Sequence, residues 1–316
     1  MSEHYPRYIS DYGHGEISLE LPGIMDTTQA FVFAFPADAG AVQGLVDTFL
    51  NAPAQGAVQY SMLGDQVFTA FLHCAHLTSN VELMGWAVDH ECGLWVPLLA
   101  RGGGLDRIVV WMPYIFIDWQ QGMITGREAL GYRKSLGSVT IPLNPDDAAS
   151  FVVQTDVFPT FSDATQEVRR TLLTLERAGK LGPLPSDWTE LHAAYKAIHG
   201  VWTNDLGKLE AHRWEIAVDV AKLLFEMAIP IVNLKQFRAA HDTTRACYQA
   251  IIECSIGIRK FHAGGFIKEA YLLNIADVAS HQVARDLGLA VPVKADFGLW
   301  LSLDMSADTG REVWKA

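Results

Sequence analysis

The chain has 316 residues, of which 50% are hydrophobic and 19% charged, with a mean hydropathy of +0.13 and a formal net charge of -12. That apolar content supplies a large buried core, at the upper end of what one domain holds, and excludes a disordered or low-complexity chain. The acidic balance excludes the basic, phosphate-reading face of a nucleic-acid binder.

The opening MSEHYPRYISDYGHGE has neither a basic n-region nor an apolar h-region, so no signal peptide is expected. No apolar run approaches the roughly 20 residues that cross a bilayer as a helix. The four cysteines, Cys74, Cys92, Cys247 and Cys254, are too few and too scattered for a disulfide framework. A cytosolic protein with reduced thiols is expected.

In chain order, Ala30 to Phe35 is an apolar, aromatic strand stopped by Pro36, after which Asp38 is placed to cap a helix running to about Asn51. Val67 to Leu77, Gly93 to Leu99 and Arg107 to Asp118 are strand-sized runs rich in Val, Ile, Phe and Trp. Gly102 to Gly104 turns between the last two and predicts an antiparallel hairpin. No lysine-serine pair or helix follows it, so it is not a phosphate loop.

His73-Cys-Ala-His76 superficially suggests a metal site, but on a strand residues i and i+3 face opposite ways. Cys247 and Cys254, seven apart, are separated in the same way, and no second pair completes a zinc set. No metal is expected. The aromatics Trp86, Trp95, Trp111, Tyr114 and Trp119 read as core, with one or two free to wall a pocket.

Gly126-Arg-Glu-Ala-Leu-Gly-Tyr-Arg-Lys-Ser-Leu-Gly137 carries three glycines in twelve residues, which predicts a tightly turned segment beside a strand. Lys134 lies within it, next to Arg133, with Tyr132 and Leu136 supplying apolar surface. A lysine amine is a nucleophile only when neutral, and desolvation or a neighbouring cation lowers its pKa toward that state. Such an amine converts a ketone to an iminium, a sink for the electron pair released when an adjacent carbon–carbon bond breaks. Ser135 has no histidine base nearby and no Gly-x-Ser-x-Gly elbow, which excludes a serine hydrolase. Arg127 and Glu128 suit either a structural ion pair or a substrate contact.

From Asp163 to about Met227 the chain reads as helical, with Val168, Leu172, Leu175 and Ala178 on one face. After Pro230 strand patterns return over Ile231 to Ala239, Thr243 to Ile258, Phe266 to Ile275 and Lys294 to Met305. A single domain, 1–316, with a helical insertion at about 163–227 is predicted.

The lysine segment resembles the motif of the acetoacetate decarboxylase family, in which Gly-Arg-Glu is followed by an aromatic residue, proline, two lysines, leucine and glycine. Gly126, Arg127, Glu128, Tyr132, Lys134, Leu136 and Gly137 match in register. His90-Glu-Cys-Gly-Leu-Trp-Val-Pro97 is similar to the family's Glu-Ser-Gly-Gln-Ala-Ile-Pro, and Pro292-Val-Lys294 to its Leu-Pro-Val-Lys. The Phe35-Pro-Ala-Asp38 junction also fits, so the resemblance covers roughly residues 25–160 and 228–305.

The resemblance implies an α+β fold, an antiparallel β-barrel or cone, here with the helical insertion. It implies Lys134 as the Schiff-base lysine and Glu91 as the active-site acid or base, acetoacetate decarboxylase being the standard example of a lysine activated by apolar surroundings or an adjacent cation. Arg133, Arg127, Tyr132 and Ser135 are the expected substrate contacts. A homo-oligomer with no cofactor, acting on a small keto acid or ketone, is also implied.

The sequence departs from the pattern at three places. Ser135 replaces the second family lysine, leaving Arg133 as the only adjacent cation. A family arginine falls near Thr28, and a family glutamate near Phe71 or Thr69. Decarboxylation of a β-keto acid is the first expectation. Aldolase- or dehydratase-type chemistry through the same iminium, and a non-catalytic binding barrel, are the alternatives.

Overall fold

The structure, a computed structural model, describes residues 5–9, 15, 18–82, 85–102, 106–144, 150–181, 187–190, 193, 196 and 228–316. Strands dominate them. The first half holds β1 (Gly23–Pro36), β2 (Gln59–Met62), β3 (Gln66–Ser79), β4 (Ala87–Arg101), β5 (Arg107–Ile117), β6 (Lys134–Thr140) and β7 (Ser150–Val157). The second holds β8 (Val168–Lys180), β9 (Ala228–Arg238), β10 (Ala246–Phe266), β11 (Glu269–Ile275), β12 (Val293–Lys294), β13 (Phe297–Ala307) and β14 (Arg311–Lys315).

Each strand expected from composition is present, most of them longer than their apolar runs. Helix α1 (Ala39–Val46) begins as expected, because the Asp38 carboxylate accepts from the amides of Gly40 and Ala41 at 2.8 and 3.1 Å. The helical path runs on through Asn51 to Ala54, burying Val42, Val46, Leu50 and Ala54 along one stripe.

Pairing follows a circuit: β5 to β9, β10, β13, β1, β3, β4 and back to β5. All of these contacts are antiparallel except the short β5–β9 match. Strand β6 also joins β5 in parallel and leads into a second, antiparallel run through β7, β8, β11 and β12.

Alternation divides the core in two. Odd-numbered Phe31, Phe33 and Phe71 leave one face of β1 and β3 and meet Phe151 of β7, at centroid distances of 5.3, 5.3 and 4.7 Å. Phe151 is fully buried there, so the second run of strands packs on that face of β1 and β3. Phe151→Ala is expected to lower stability by about 3–5 kcal/mol, measured by denaturant unfolding. Even-numbered Ala30 and Ala34 turn the other way, into a second cluster with Phe68, Leu299 and Leu301.

One expected element is different. Val168–Lys180 is a strand and not the start of a helical block. It hydrogen-bonds to β7 on one side and β11 on the other, and this two-sided ladder outweighs a helix-compatible spacing of Val168, Leu172 and Leu175. The rest of that block, 182–227, falls almost wholly outside the described residues.

Candidate active site

Lys134 opens β6, and a turn of the preceding chain holds it. Helix α2 (Gln120–Thr125) runs into one wide helical turn over Gly126–Leu130, which ends at Gly131 with φ 77°. A β-carbon on Gly131 would lie 2.7 Å from the Lys235 backbone, so only glycine allows both the turn and the contact. Gly126 lies against the lysine stem itself. A methyl group there would meet Lys134 Cε at 3.0 Å and Cδ at 3.1 Å. Gly126→Ala is therefore expected to slow modification of Lys134 about tenfold or more while moving the melting temperature by only a few degrees. Pyruvate and borohydride labelling beside a thermal melt measures both.

The Lys134 Nζ donates to Glu91 Oε2 at 2.5 Å, and the two side chains are only 13% and 12% exposed. The ammonium also lies 5.6 Å from the centre of the buried Tyr132 ring, whose hydroxyl meets Cys254 Sγ at 3.4 Å. Two residues before Glu91 on β4, and so on the same face, Asp89 enters the cavity, its Oδ1 buried and without a hydrogen-bond partner among the described residues. Burial pushes the Asp89 carboxyl up to about 8; Lys134 pulls it down and Glu91 pushes it further up. For Lys134, burial favours the neutral amine, but Glu91 and Asp89 outweigh it and hold the ammonium above the usual lysine range. The resting site is thus a buried ion pair beside a neutral carboxyl.

A cavity of about 160 Å³ surrounds the pair, and its walls are overwhelmingly apolar. Strand β13 contributes every second residue: Phe297, Leu299, Leu301, Leu303 and Met305. Opposite them on β1 are Val32, Ala30 and Thr28, in register with Leu299, Leu301 and Leu303. Thr27, at φ 54°, forms a bulge that reverses the alternation, so Gly23 and Met25 face the same cavity. Trp95 covers Gly93, where a β-carbon would strike the indole at 2.6 Å, and Trp119 lines the side near Thr125.

The expected contacts separate. Lys134, Glu91 and Tyr132 come together at the cavity. Arg133 and Ser135 face away from the lysine, because neighbours on a strand alternate. The Arg133 guanidinium stacks on Phe49 at 4.0 Å, so it does not lower the pKa of Lys134. Arg127 lies on the Arg133 side and donates from Nη1 to the Lys134 carbonyl at 3.0 Å, forming no ion pair with Glu128. Phe71 and Thr69 likewise point away; the cavity face of β3 is Phe68, Leu72 and Cys74. Thr28 does line the cavity, and no arginine does among the described residues. Trp86 is 63% exposed and stacks on His76, while Trp111 and Tyr114 lie on the Arg133 side.

Asp89 escaped the sequence reading, although its i−2 relation to Glu91 on a strand was the available signal. The histidines form no metal group: among the described residues none of three or more ligating side chains is found. His73 Nδ1 instead meets His90 Nε2 at 2.9 Å, and His90 Nδ1 meets Asp118 Oδ2 at 2.7 Å, on the strand face opposite Glu91. All four cysteines are free thiols. Among the described residues, no helix is long and apolar enough to cross a membrane.

No family model matches the sequence, and no curated protein does. The structure is similar to acetoacetate decarboxylase from Legionella pneumophila subsp. pneumophila str. Philadelphia 1, with a TM-score of 0.61 and 13% identity over 99% of this chain and 93% of that one. A second acetoacetate decarboxylase structure gives 0.59 and 13% over 98% and 96%. The enduracididine biosynthesis enzyme MppR complexed with pyruvate gives 0.55 and 11% over 95% and 93%. Its complex with the condensation product of pyruvate and imidazole 4-carboxaldehyde gives 0.55 and 12% over 99% of both chains. The likeness extends over nearly the whole of each chain, and this protein has the acetoacetate decarboxylase-like fold.

Proposed function

We propose that this protein is a carbon–carbon lyase that forms a Schiff base on Lys134, in a β-barrel or cone, and acts on a keto acid or ketone with an apolar body. The observation that supports it most is the buried Lys134–Glu91 contact at 2.5 Å inside an otherwise apolar cavity. An ammonium is not a nucleophile, so a proton must first leave Lys134. Once an apolar substrate displaces water, the low dielectric favours the neutral amine and acid over the ion pair, and Glu91 is placed to take the proton.

In the decarboxylase reading, the amine adds to the ketone and loses water to give an iminium. The bond to the β-carboxylate breaks, its electron pair forms an enamine, and carbon dioxide leaves. The neutral Asp89 carboxyl stands in for the missing guanidinium: it donates a hydrogen bond to the substrate carboxylate, then delivers its proton to the enamine carbon. Water releases the ketone and restores the lysine.

A second reading, aldolase- or dehydratase-type chemistry through the same iminium, is favoured by Thr28. Among the described residues no arginine lines the cavity, so no fixed cation holds a departing β-carboxylate there, a contact that chemistry retaining the carboxylate does not need. The MppR complexes, one with pyruvate and one with a pyruvate–aldehyde condensation product, give this reading a precedent on the same fold.

Sodium borohydride reduction with a panel of keto acids and ketones, followed by peptide mass spectrometry, tests the proposal. An adduct on Lys134 is expected, and its mass separates loss of carbon dioxide from retention of it. An inert Lys134 across the panel would leave a binding protein.

A further inference from the structure

On the far side of β6 from the lysine lies a second cavity, of about 700 Å³, which the Schiff-base chemistry does not use. Four arginines line it: Arg127, Arg133, Arg238 and Arg245. Among the described residues no aspartate or glutamate does. That concentration of one sign is unusual here, because acidic residues outnumber basic ones by 36 to 24 over the chain.

The guanidiniums are only partly committed. Arg127 uses one nitrogen on the Lys134 carbonyl at 3.0 Å, and Arg238 one on the Thr243 carbonyl at 2.5 Å. Arg245 lies 3.4 Å from the exposed Asp242. Arg133 is half-buried, its guanidinium carbon over the Phe49 ring at 4.0 Å from the centroid, and among the described residues no hydrogen-bond acceptor engages it. Asp286, the carboxylate whose charge reaches Arg133, accepts from the Tyr114 hydroxyl at 2.6 Å. Ser135, Thr243 and Thr244 add hydroxyls to the rim.

Burial depresses the Arg133 pKa, a cost that a bound anion would remove. A guanidinium is a planar fork that fits two oxygens of a carboxylate or phosphate at once, and stacking on an aromatic ring leaves that fork free.

We infer that this cavity is a binding site for a small, multiply charged oxyanion, of phosphate or polycarboxylate chemistry, separate from the Lys134 site. Arg133 anchors the ligand, and Arg238 and Arg245 close on it from the β9–β10 turn. The inference does not depend on the Schiff-base reading, since none of its four arginines lines the lysine cavity; among the described residues, Tyr132 alone is shared by the two walls.

Isothermal titration of the full chain with inorganic phosphate and with citrate, at fixed ionic strength in chloride, tests it. Saturable binding of at least one is expected, and the preferred anion distinguishes phosphate from polycarboxylate ligands. Arg133→Met and Arg238→Met are each expected to weaken that binding about tenfold or more, with far-UV circular dichroism unchanged. Arg133→Lys should retain part of it. No saturable heat from either anion up to about 10 mM, or binding unaltered in both methionine variants, would overturn the inference. So would sedimentation showing that Arg133→Met dissociates an oligomer while phosphate stays silent, because the cavity would then be a contact between copies.

Discussion

Replacing Lys134 with methionine is expected to abolish the borohydride-trapped adduct and to lower kcat/KM on any substrate of the panel by at least about a thousandfold. The side chain combines two roles that one substitution confounds. It is the proposed nucleophile, and it neutralises Glu91 inside an apolar cavity. Removing one partner of a buried ion pair strands the other, at about 3–5 kcal/mol. Lys134→Arg separates the roles, because a guanidinium retains a cation for Glu91 yet forms no iminium. The arginine variant should keep most of the stability and none of the adduct. Lys134→Met combined with Glu91→Gln should recover stability without recovering the reaction. An adduct that persists in the arginine variant would place the chemistry on another amine.

Asp89→Asn is expected to lower turnover about a hundredfold and to remove the alkaline limb of the pH–rate profile. Burial pushes the carboxyl up to about 8, so a step that requires its proton weakens as pH rises through that value. Stability carries the same sign. The folded state keeps the proton that an unfolded aspartate releases near 3.8, so the Asp89 contribution is complete below that pH and is lost as pH rises to about 8. At pH 8.5 the asparagine variant should therefore melt higher than the parent, while the two converge in acid. A profile that keeps its alkaline limb in the variant would remove Asp89 from the proton path.

The lysine segment stood out in the sequence because seven of its twelve residues match the family motif in register, while Glu91 rested on a shorter resemblance alone. What the spacing did not give was the face. Arg133, Lys134 and Ser135 are consecutive, and once Lys134 pairs with Ile115 its neighbours turn away; a one-residue slip of that register would have reversed the assignment. The same parity moves Phe71 and Thr69 out of the cavity and brings Asp89 in. At β8 the sequence misled for another reason. Its Glu, Arg and Ala content and the spacing of Val168, Leu172 and Leu175 suit a helix. A register shift against β7 between Val153 and Gln154, with Leu172 and Leu173 both buried, breaks the simple alternation by which a strand is recognised.

The rungs of β13 and β1 have a consequence for substrate length. Leu299 with Val32, Leu301 with Ala30 and Leu303 with Thr28 form successive steps about 7 Å apart along the cavity wall. Each pair can be changed without touching the lysine, its carboxylates or the turn that holds them. The wall therefore works as a gauge: shortening a leucine at one rung admits a longer tail to that depth, and enlarging Ala30 shuts the passage there. One catalytic end could in this way serve a graded series of chain lengths, set by single substitutions on two paired strands.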